Sequence, residues 1–226
     1  MSSSFQEMIT CPKCNQASQF TIWRSINTSL DPEMKASVRD GSAFLFTCPH
    51  CREITHVEYG FLYHQMEDEI MIQIAASEEA VQEALEMLSG NQLSDMLKDF
   101  QVETHYLTRI VRSQNELREK LAILDNGLDD RIMELYKVFL LAHYQEKNPD
   151  AKNVTLLYFH GDDDNQRVQI FVNDHPAGAF DFSTAMYQQV SVSFRPFMKD
   201  IRDQEPIVDR QWAVQFLNSH AKTRKV

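Results

Sequence analysis

Two short stretches of sequence decide the fold: Cys11-Pro12-Lys13-Cys14 and Cys48-Pro49-His50-Cys51. They hold all four cysteines of the chain and are separated by 33 residues. In a Cys-x-x-Cys turn both sulfurs can reach one metal ion, and two such turns supply the tetrahedral thiolate set that zinc prefers. Proline presets the backbone angle of each turn. The spacing therefore predicts one structural zinc ion per chain. Its ligands would be Cys11, Cys14, Cys48 and Cys51.

Two other interpretations of the cysteines stay open. Iron is an alternative occupant of four thiolates. The second stretch is also the active-site tetrapeptide of DsbA-type thiol oxidases, so thiol–disulfide exchange by Cys48 and Cys51 is a second hypothesis. In a thioredoxin fold the second cysteine lies in a helix, whereas residues 52–59 alternate like a strand. Four thiolates also leave no open position for water, which disfavours catalytic zinc; we predict no catalytic residue and no organic cofactor.

Hydrophobic alternation predicts strands around the cysteine turns, and we expect them to form an antiparallel sheet. The expected strands are Phe20–Ile26, Ala43–Thr47, Ile54–Tyr59, Glu69–Ala75 and Val102–Ile110. Asp31-Pro32-Glu33 is typical of a helix start and Gly41 of a helix end. A second helix is expected from Ser77 to Gly90, with acidic residues in its first turn.

A helical hairpin follows. Ser113-Gln114-Asn115-Glu116 is a capping box that predicts a helix ending at Asn126-Gly127. The next helix should run from about Asp129 to Gln145, and so short a link predicts an antiparallel pair. We interpret Asp129 and Asp130 as capping residues that favour the helix dipole. The apolar stripe of this helix is most simply core, but it could bury against a second copy and form a homodimer. The stripe includes Met133, Leu140 and Leu141.

The last part of the chain follows a linker at Asn148-Pro149-Asp150. Strands are expected at Val154–His160 and Val168–Val172, a turn at 173–178, a helix over 183–200 up to near Pro196, and a helix after Asp209. The whole pattern indicates an α+β protein with a zinc-ribbon-like hairpin. Its expected parts are a zinc-binding domain (1–112), the helical hairpin (113–147) and a small α/β C-terminal region (151–226).

Charge and motif content narrow the function. The net charge is −11, and residues 61–150 alone carry 18 acidic and 8 basic groups, which disfavours binding to phosphate backbones. The tail Lys222-Thr223-Arg224-Lys225 is locally basic and is interpreted as a solvated end. Asp162-Asp163-Asp164-Asn165 lacks the ligand spacing of a calcium loop and is interpreted as a solvated hairpin tip. Glu67-Asp68-Glu69 is interpreted as a charged surface bend. Walker, Gly-x-Ser-x-Gly and His-Glu-x-x-His motifs are absent from the sequence.

The sequence resembles the CpXC family of prokaryotic proteins over roughly residues 8–140. The two Cys-Pro-x-Cys motifs carry the resemblance, and softer matches lie between and after them. These are Trp23-Arg24-Ser25-Ile26-Asn27, Leu30-Asp31-Pro32-Glu33-Met34-Lys35, Leu62-Tyr63-His64-Gln65-Met66, Glu119-Lys120 and Leu128-Asp129-Asp130-Arg131 with Glu134 and Lys137. The resemblance implies metal binding but no reaction.

Together these observations predict a non-catalytic zinc-binding protein that acts through contacts with an unidentified protein partner. No apolar run is long enough for a transmembrane helix and the first residues lack the pattern of a signal peptide, so we expect a cytoplasmic protein. One alternative is a zinc-ribbon adaptor or regulator that associates with nucleic acid. The other is the thiol–disulfide oxidoreductase named above.

Overall fold

The computed structural model describes residues 2–89, 106–149, 154–161, 165–173, 175–201 and 205–221. The chain divides into two compact units, residues 1–118 and residues 119–226. Across the described residues the fold is mixed α+β, with six α-helices and three sheets, which confirms the predicted fold class. The three domain limits predicted from the sequence stay a prediction.

The first unit contains seven strands among its described residues. They are β1 (Ser3–Thr10), β2 (Ala17–Asn27), β3 (Leu45–Thr47), β4 (Ile54–His56), β5 (Leu62–Gln65), β6 (Ile70–Ile74) and β7 (Leu107–Val111). Five of them form one sheet in the order β1-β2-β5-β6-β7, and β3 and β4 form a separate antiparallel hairpin.

The five-stranded sheet is mixed, so the antiparallel sheet expected from the sequence is wrong in part. β1 with β2 and β5 with β6 are antiparallel, whereas β2 with β5 and β6 with β7 are parallel. Parallel neighbours need a long crossover connection, and the chain supplies two. Along the chain, helix α1 (Glu33–Asp40) is part of the connection from β2 to β5, and helix α2 (Glu78–Ser89) is part of the connection from β6 to β7. Strand β6 is buried along most of its length, as expected for an interior strand.

The ends of α1 agree with the sequence signals. The helix starts immediately after Pro32, and Gly41 ends it in a left-handed conformation with a φ of 85°. Helix α2 starts next to Ser77, whose hydroxyl accepts a hydrogen bond from the backbone N–H of Ala80. Two acidic residues, Glu78 and Glu79, lie in its first turn. The cap and the charges both compensate the unpaired N–H groups at the helix start.

Four helices complete the described fold: α3 (Gln114–Asp125), α4 (Asp130–Lys147), α5 (Thr184–Phe194) and α6 (Arg210–Ala221). The division between the two units falls within α3. Half of the predicted capping box is present, because the hydroxyl of Ser113 accepts from the backbone N–H of Glu116. The Glu116 carboxylate accepts from the backbone N–H of Arg112, one residue before the cap, in place of that of Ser113. The Asp129 side chain caps α4 by accepting from the backbone N–H of Arg131, which confirms its predicted role.

The second unit has its own sheet and core. Strands β8 (Val154–His160), β9 (Arg167–Val172) and β10 (His175–Asp181) form an antiparallel sheet in the order β10-β9-β8. Met133 and Leu140 are buried in the core of this unit and Leu141 packs against it, so the apolar stripe of α4 is core within one chain.

Strand β10 corrects a sequence interpretation, because the turn expected at 173–178 is a strand from His175 onward. Its pairing with β9 shifts register between Pro176 and Gly178, and an edge strand tolerates proline because one side needs no hydrogen-bond donor. Some predicted features lie outside the described residues. These are Gly90, residues 102–105 of a predicted strand, Asp150 of the linker, Asp162 to Asp164, and the basic tail 222–225. No helix in the described ranges is long and apolar enough to cross a membrane.

Candidate metal centre

The four cysteines lie at the tips of two hairpins. Strand β1 ends one residue before Cys11 and β2 begins at Ala17, while β3 ends one residue before Cys48 and β4 begins at Ile54. We call residues 11–16 the first knuckle and residues 48–53 the second knuckle. Each knuckle is therefore a six-residue connection between antiparallel strands, and its ends are held by strand pairing.

Both knuckles have the same backbone hydrogen bonds. In the first, the N–H of Cys11 donates to the carbonyl of Gln16 over 3.0 Å and the N–H of Asn15 donates to the carbonyl of Cys11 over 2.9 Å. In the second, the corresponding distances are 2.8 Å from Cys48 to Glu53 and 2.9 Å from Arg52 to Cys48. The two motifs are thus folded alike, and each one turns its two sulfurs toward the other knuckle.

The sulfur positions fit a single metal ion. All four Sγ atoms lie within 4.8 Å of one another, and the closest pairs between knuckles are Cys11–Cys51 at 3.5 Å and Cys14–Cys48 at 3.6 Å. Four sulfurs placed tetrahedrally about 2.3 Å from zinc would be about 3.8 Å apart. All four cysteines are free thiols. The arrangement therefore suits one tetrahedral ion and does not distinguish zinc from iron.

A small apolar cluster surrounds the sulfurs. Cys11 and Cys48 are fully buried, as is Phe46 of β3. The ring of Phe20 meets that of Phe46 edge-on, with centroids 6.0 Å apart, and Ile9 and Val57 also pack here. This packing keeps water away from two of the four sulfurs. It also brings side chains of the two hairpins into contact beside the sulfurs.

Backbone N–H groups shape the electrostatics of the thiols. The N–H of Cys14 points at the Cys11 sulfur and lowers the pKa of Cys11 to about 7. For Cys51, the N–H of Glu53 favours the thiolate, but burial and the other three cysteines outweigh it and raise the pKa to about 12. Without a metal, a thiolate is thus favoured at Cys11 and costly at Cys51. A bound cation would remove that cost, since metal ligation deprotonates thiols.

A surface ion pair also links the knuckles. Nζ of Lys13 lies 2.9 Å from Oε2 of Glu53. The hydrogen bond to Glu53 raises the pKa of Lys13. Because both side chains are largely exposed, this pair adds orientation rather than much stability.

The histidines near the knuckles make other contacts. His50 is exposed in the second knuckle. His56 lies 3.6 Å from a Glu58 carboxylate oxygen. Nε2 of His64 lies 3.0 Å from the Tyr106 hydroxyl. In the described part of the chain, the metal-ligating cluster contains cysteines and no histidine.

The acidic bend at residues 67–69 is tied to α1. Nζ of Lys35 lies 3.0 Å from Glu67 and 3.4 Å from Asp68, and the hydroxyl of Thr28 donates to Glu67 over 2.9 Å. Burial opposes ionisation of Glu67, but its own backbone N–H, Lys35 and Thr28 outweigh it and hold the pKa at about 2. These carboxylates therefore serve the fold, and the sequence interpretation of a plain exposed bend missed their partners.

Sequence reasoning also missed a buried ionic cluster in the second unit. Lys137 lies 2.9 Å from both Glu119 and Glu134, and Lys120 lies 3.2 Å from Asp130 and 3.3 Å from Glu134. All five side chains are buried. Burial raises the pKa of Glu119, although Lys137 favours its charged form. Burial opposes the positive charge of Lys137, but Glu119 and Glu134 outweigh it and raise the pKa of Lys137. The presence of Glu134 and Lys137 on the apolar side of α4 was the sequence signal that could have indicated this cluster.

Two hairpins whose tips share four cysteine sulfurs define a ribbon-like four-cysteine protein. The chain belongs to the CpXC family: the family model described as CpXC protein matches residues 9–137, which confirms the resemblance seen in the sequence. That match includes both knuckles and all five members of the buried ionic cluster. Comparison with curated proteins and with solved structures gives no significant match.

Proposed function

We propose that this protein binds one structural zinc ion through Cys11, Cys14, Cys48 and Cys51, performs no catalysis, and acts in the cytosol through contacts with other protein chains. The single observation that carries the proposal is the convergence of four free sulfurs within 4.8 Å at two hairpin tips. Free thiols are typical of a reducing compartment. Zinc would supply charge neutralisation and a cross-link, and four thiolates would leave it no position for substrate.

The hairpins themselves give a reason for a structural ion. Strands β3 and β4 have three residues each, and an isolated two-stranded hairpin is marginal in water. The apolar cluster around the sulfurs is small, so packing alone supports the second knuckle weakly. Ligation to the first knuckle would hold this hairpin in place, and the free energy of metal binding would then be folding free energy.

The test is the metal content of the protein purified without added metal, measured by mass spectrometry and read beside a free-thiol count in denaturant with and without chelator. We expect about one zinc per chain, with all four thiols reacting after chelation. Cys14→Ser and Cys51→Ser should lower the zinc content, whereas the neighbouring Thr10→Ser control should not. Thiols that stay missing until a reductant is added would overturn the proposal and support disulfide exchange by Cys48 and Cys51. One iron in place of zinc would keep the site and change the ion.

A further inference from the structure

Strand β1 is an exposed edge of the five-stranded sheet. It pairs with β2 on one side, and the described part of the chain places no strand on its other side. Seven of its eight residues are exposed and Ile9 is half-buried. An edge of this kind presents a row of backbone N–H and C=O groups that can pair with another strand.

The usual protection of an edge strand is missing from β1. Proline, lysine, bulges and short length are the common means by which proteins block edge pairing. Strand β10, an exposed edge of the second unit's sheet, carries Pro176 and a register shift next to Gly178. Strand β1 contains neither proline nor lysine, and its one register shift lies at its first residue, between Ser3 and Ser4. This edge is therefore open to pairing over most of its length.

Two charges beside this edge have no opposite charge within the described residues. The guanidinium of Arg24 lies over the ring of Phe5, 4.8 Å from its centroid, and the described residues provide it no carboxylate. Glu7 is exposed, and no hydrogen bond or ion pair to it exists among those residues. Phe5 pairs with Ile22 and Glu7 with Phe20, so Phe5, Glu7 and Arg24 lie on one face of the sheet.

We propose that β1 pairs antiparallel with β1 of a second copy of this chain, with Gln6 opposite Gln6 of the partner subunit. A two-fold axis perpendicular to the sheet relates the strands, so one interface is formed by the same surface twice. In this register Phe5 lies opposite Glu7 of the partner subunit. The partner's carboxylate then meets the Arg24 guanidinium over the Phe5 ring, and symmetry creates the same contact a second time.

Charge selects this register over its neighbour. Moving the strands to the next register that keeps the faces aligned places Glu7 opposite Glu7 of the partner subunit. Like charges directly opposite each other destabilise a strand pair. The register centred on Gln6 instead forms two opposite-charge contacts, and each gains from desolvation beside an aromatic ring. The register centred on Gln6 is thus complementary to itself, whereas the register centred on Glu7 is not.

This interface differs from the dimer suggested by the helical hairpin, whose apolar stripe is buried inside its own unit. It is formed by only one strand from each copy, so it buries less surface than the about 1,600 Å² of a standard stable interface. We therefore expect a reversible dimer that forms at high protein concentration. Because β1 leads directly into the first knuckle, the metal site would lie at the end of the shared sheet.

The test uses charge reversal on the full-length protein with its metal bound. Glu7→Arg and Arg24→Glu each convert two attractive contacts into two repulsive ones, so each should raise the dimer dissociation constant by about tenfold. Mixing the two variants should restore association, because Arg at 7 in one chain then meets Glu at 24 in the other. Sedimentation equilibrium measures the association, and metal content checks that each variant is folded at the knuckles.

The matched control for Glu7→Arg is Glu83→Arg, which makes the same change in net charge at an exposed position of α2 and should leave association unchanged. A wild-type protein that stays monomeric at its highest soluble concentration would overturn the proposal. A dimer that neither reversal weakens would also overturn it and would place the interface elsewhere, as on the helical hairpin. Restored association in the mixture, with the control unaffected, would support the β1 interface.

Discussion

Asn15 and Arg52 occupy the same place in the two knuckles, and both have a left-handed backbone, with φ of 56° and 62°. Asparagine tolerates this conformation well, whereas a long side chain pays a steric cost. The two knuckles thus have equal geometry but unequal strain. The second knuckle folds like the first at the expense of one unfavourable residue.

Arg52→Gly should therefore stabilise the first unit by about 0.5–1 kcal/mol, because glycine removes the steric cost and loses part of the gain to chain entropy. The measurement is the denaturation midpoint of the metal-bound protein. His50→Gly is the matched control, since His50 is equally exposed in the same knuckle with an ordinary φ, and it should lower the midpoint. A lower midpoint for Arg52→Gly would contradict the strain argument.

Loss of a single ligand should unfold the region around the cysteine cluster and spare the second unit. Cys51→Ser is expected to abolish amide protection around β3, β4 and the first knuckle, because the small cluster there relies on ligation. The second unit has a separate core and should keep its protection. Hydrogen exchange read by mass spectrometry distinguishes these regions. Unchanged exchange and melting in Cys51→Ser would show that the ion does not support the fold.

The buried ionic cluster should be sensitive to the loss of one charge. Lys137→Met leaves the carboxylates of Glu119 and Glu134 buried with one cation fewer, which typically costs about 3–5 kcal/mol. The backbone N–H of Phe159 still donates to Glu119. Helix α3 should therefore stay joined to β8 while becoming less stable. Chemical denaturation of the second unit measures the effect. Lys147→Met, at an exposed site on the same helix, should change it little, and equal effects of both variants would refute the ionic role.

Acid should weaken the contact between α1 and the bend that follows β5. The folded pKa of Glu67, about 2, lies below its ordinary value of 4.5. Its contribution to stability is therefore complete above pH 4.5 and is lost as the pH falls toward 2. Because Glu67 and Lys35 are both about two-fifths exposed, the effect should be small and weaker at high salt.

Glu67→Gln should reduce the fall in stability over this acidic range, and urea midpoints at several pH values measure it. Glu83→Gln, at an exposed position of α2 without a partner among the described residues, serves as the comparison. If the two variants lose stability with acid to the same extent, the ion pair with Lys35 has no role in it.

The cysteine cluster could be predicted because its signal is local. Each Cys-x-x-Cys turn places its own sulfurs, and a hairpin pattern around Cys48 predicts where the second turn lies. One ion that binds both turns is then enough to bring them together, although they are far apart in the sequence.

The sequence did not predict the strands that are held mainly by pairing with neighbouring strands. Strand β1 is exposed on both faces, so it lacks the alternation that identifies a half-buried strand. Strand β10 contains Pro176 and Gly178, which usually mark a turn, and it is held by pairing with β9. The parallel pairing of β2 with β5 was also invisible, because a period of two residues carries no information on strand direction.

The connection between the knuckles has a kinetic consequence. It includes β2, helix α1 and β3, so the first unit must close a long segment before its parallel strands can meet. Closing such a loop costs chain entropy that slows folding. If both cysteine pairs bound an ion early in folding, the loop would be closed before β2 pairs with β5. The free segment between these two strands would then be shorter.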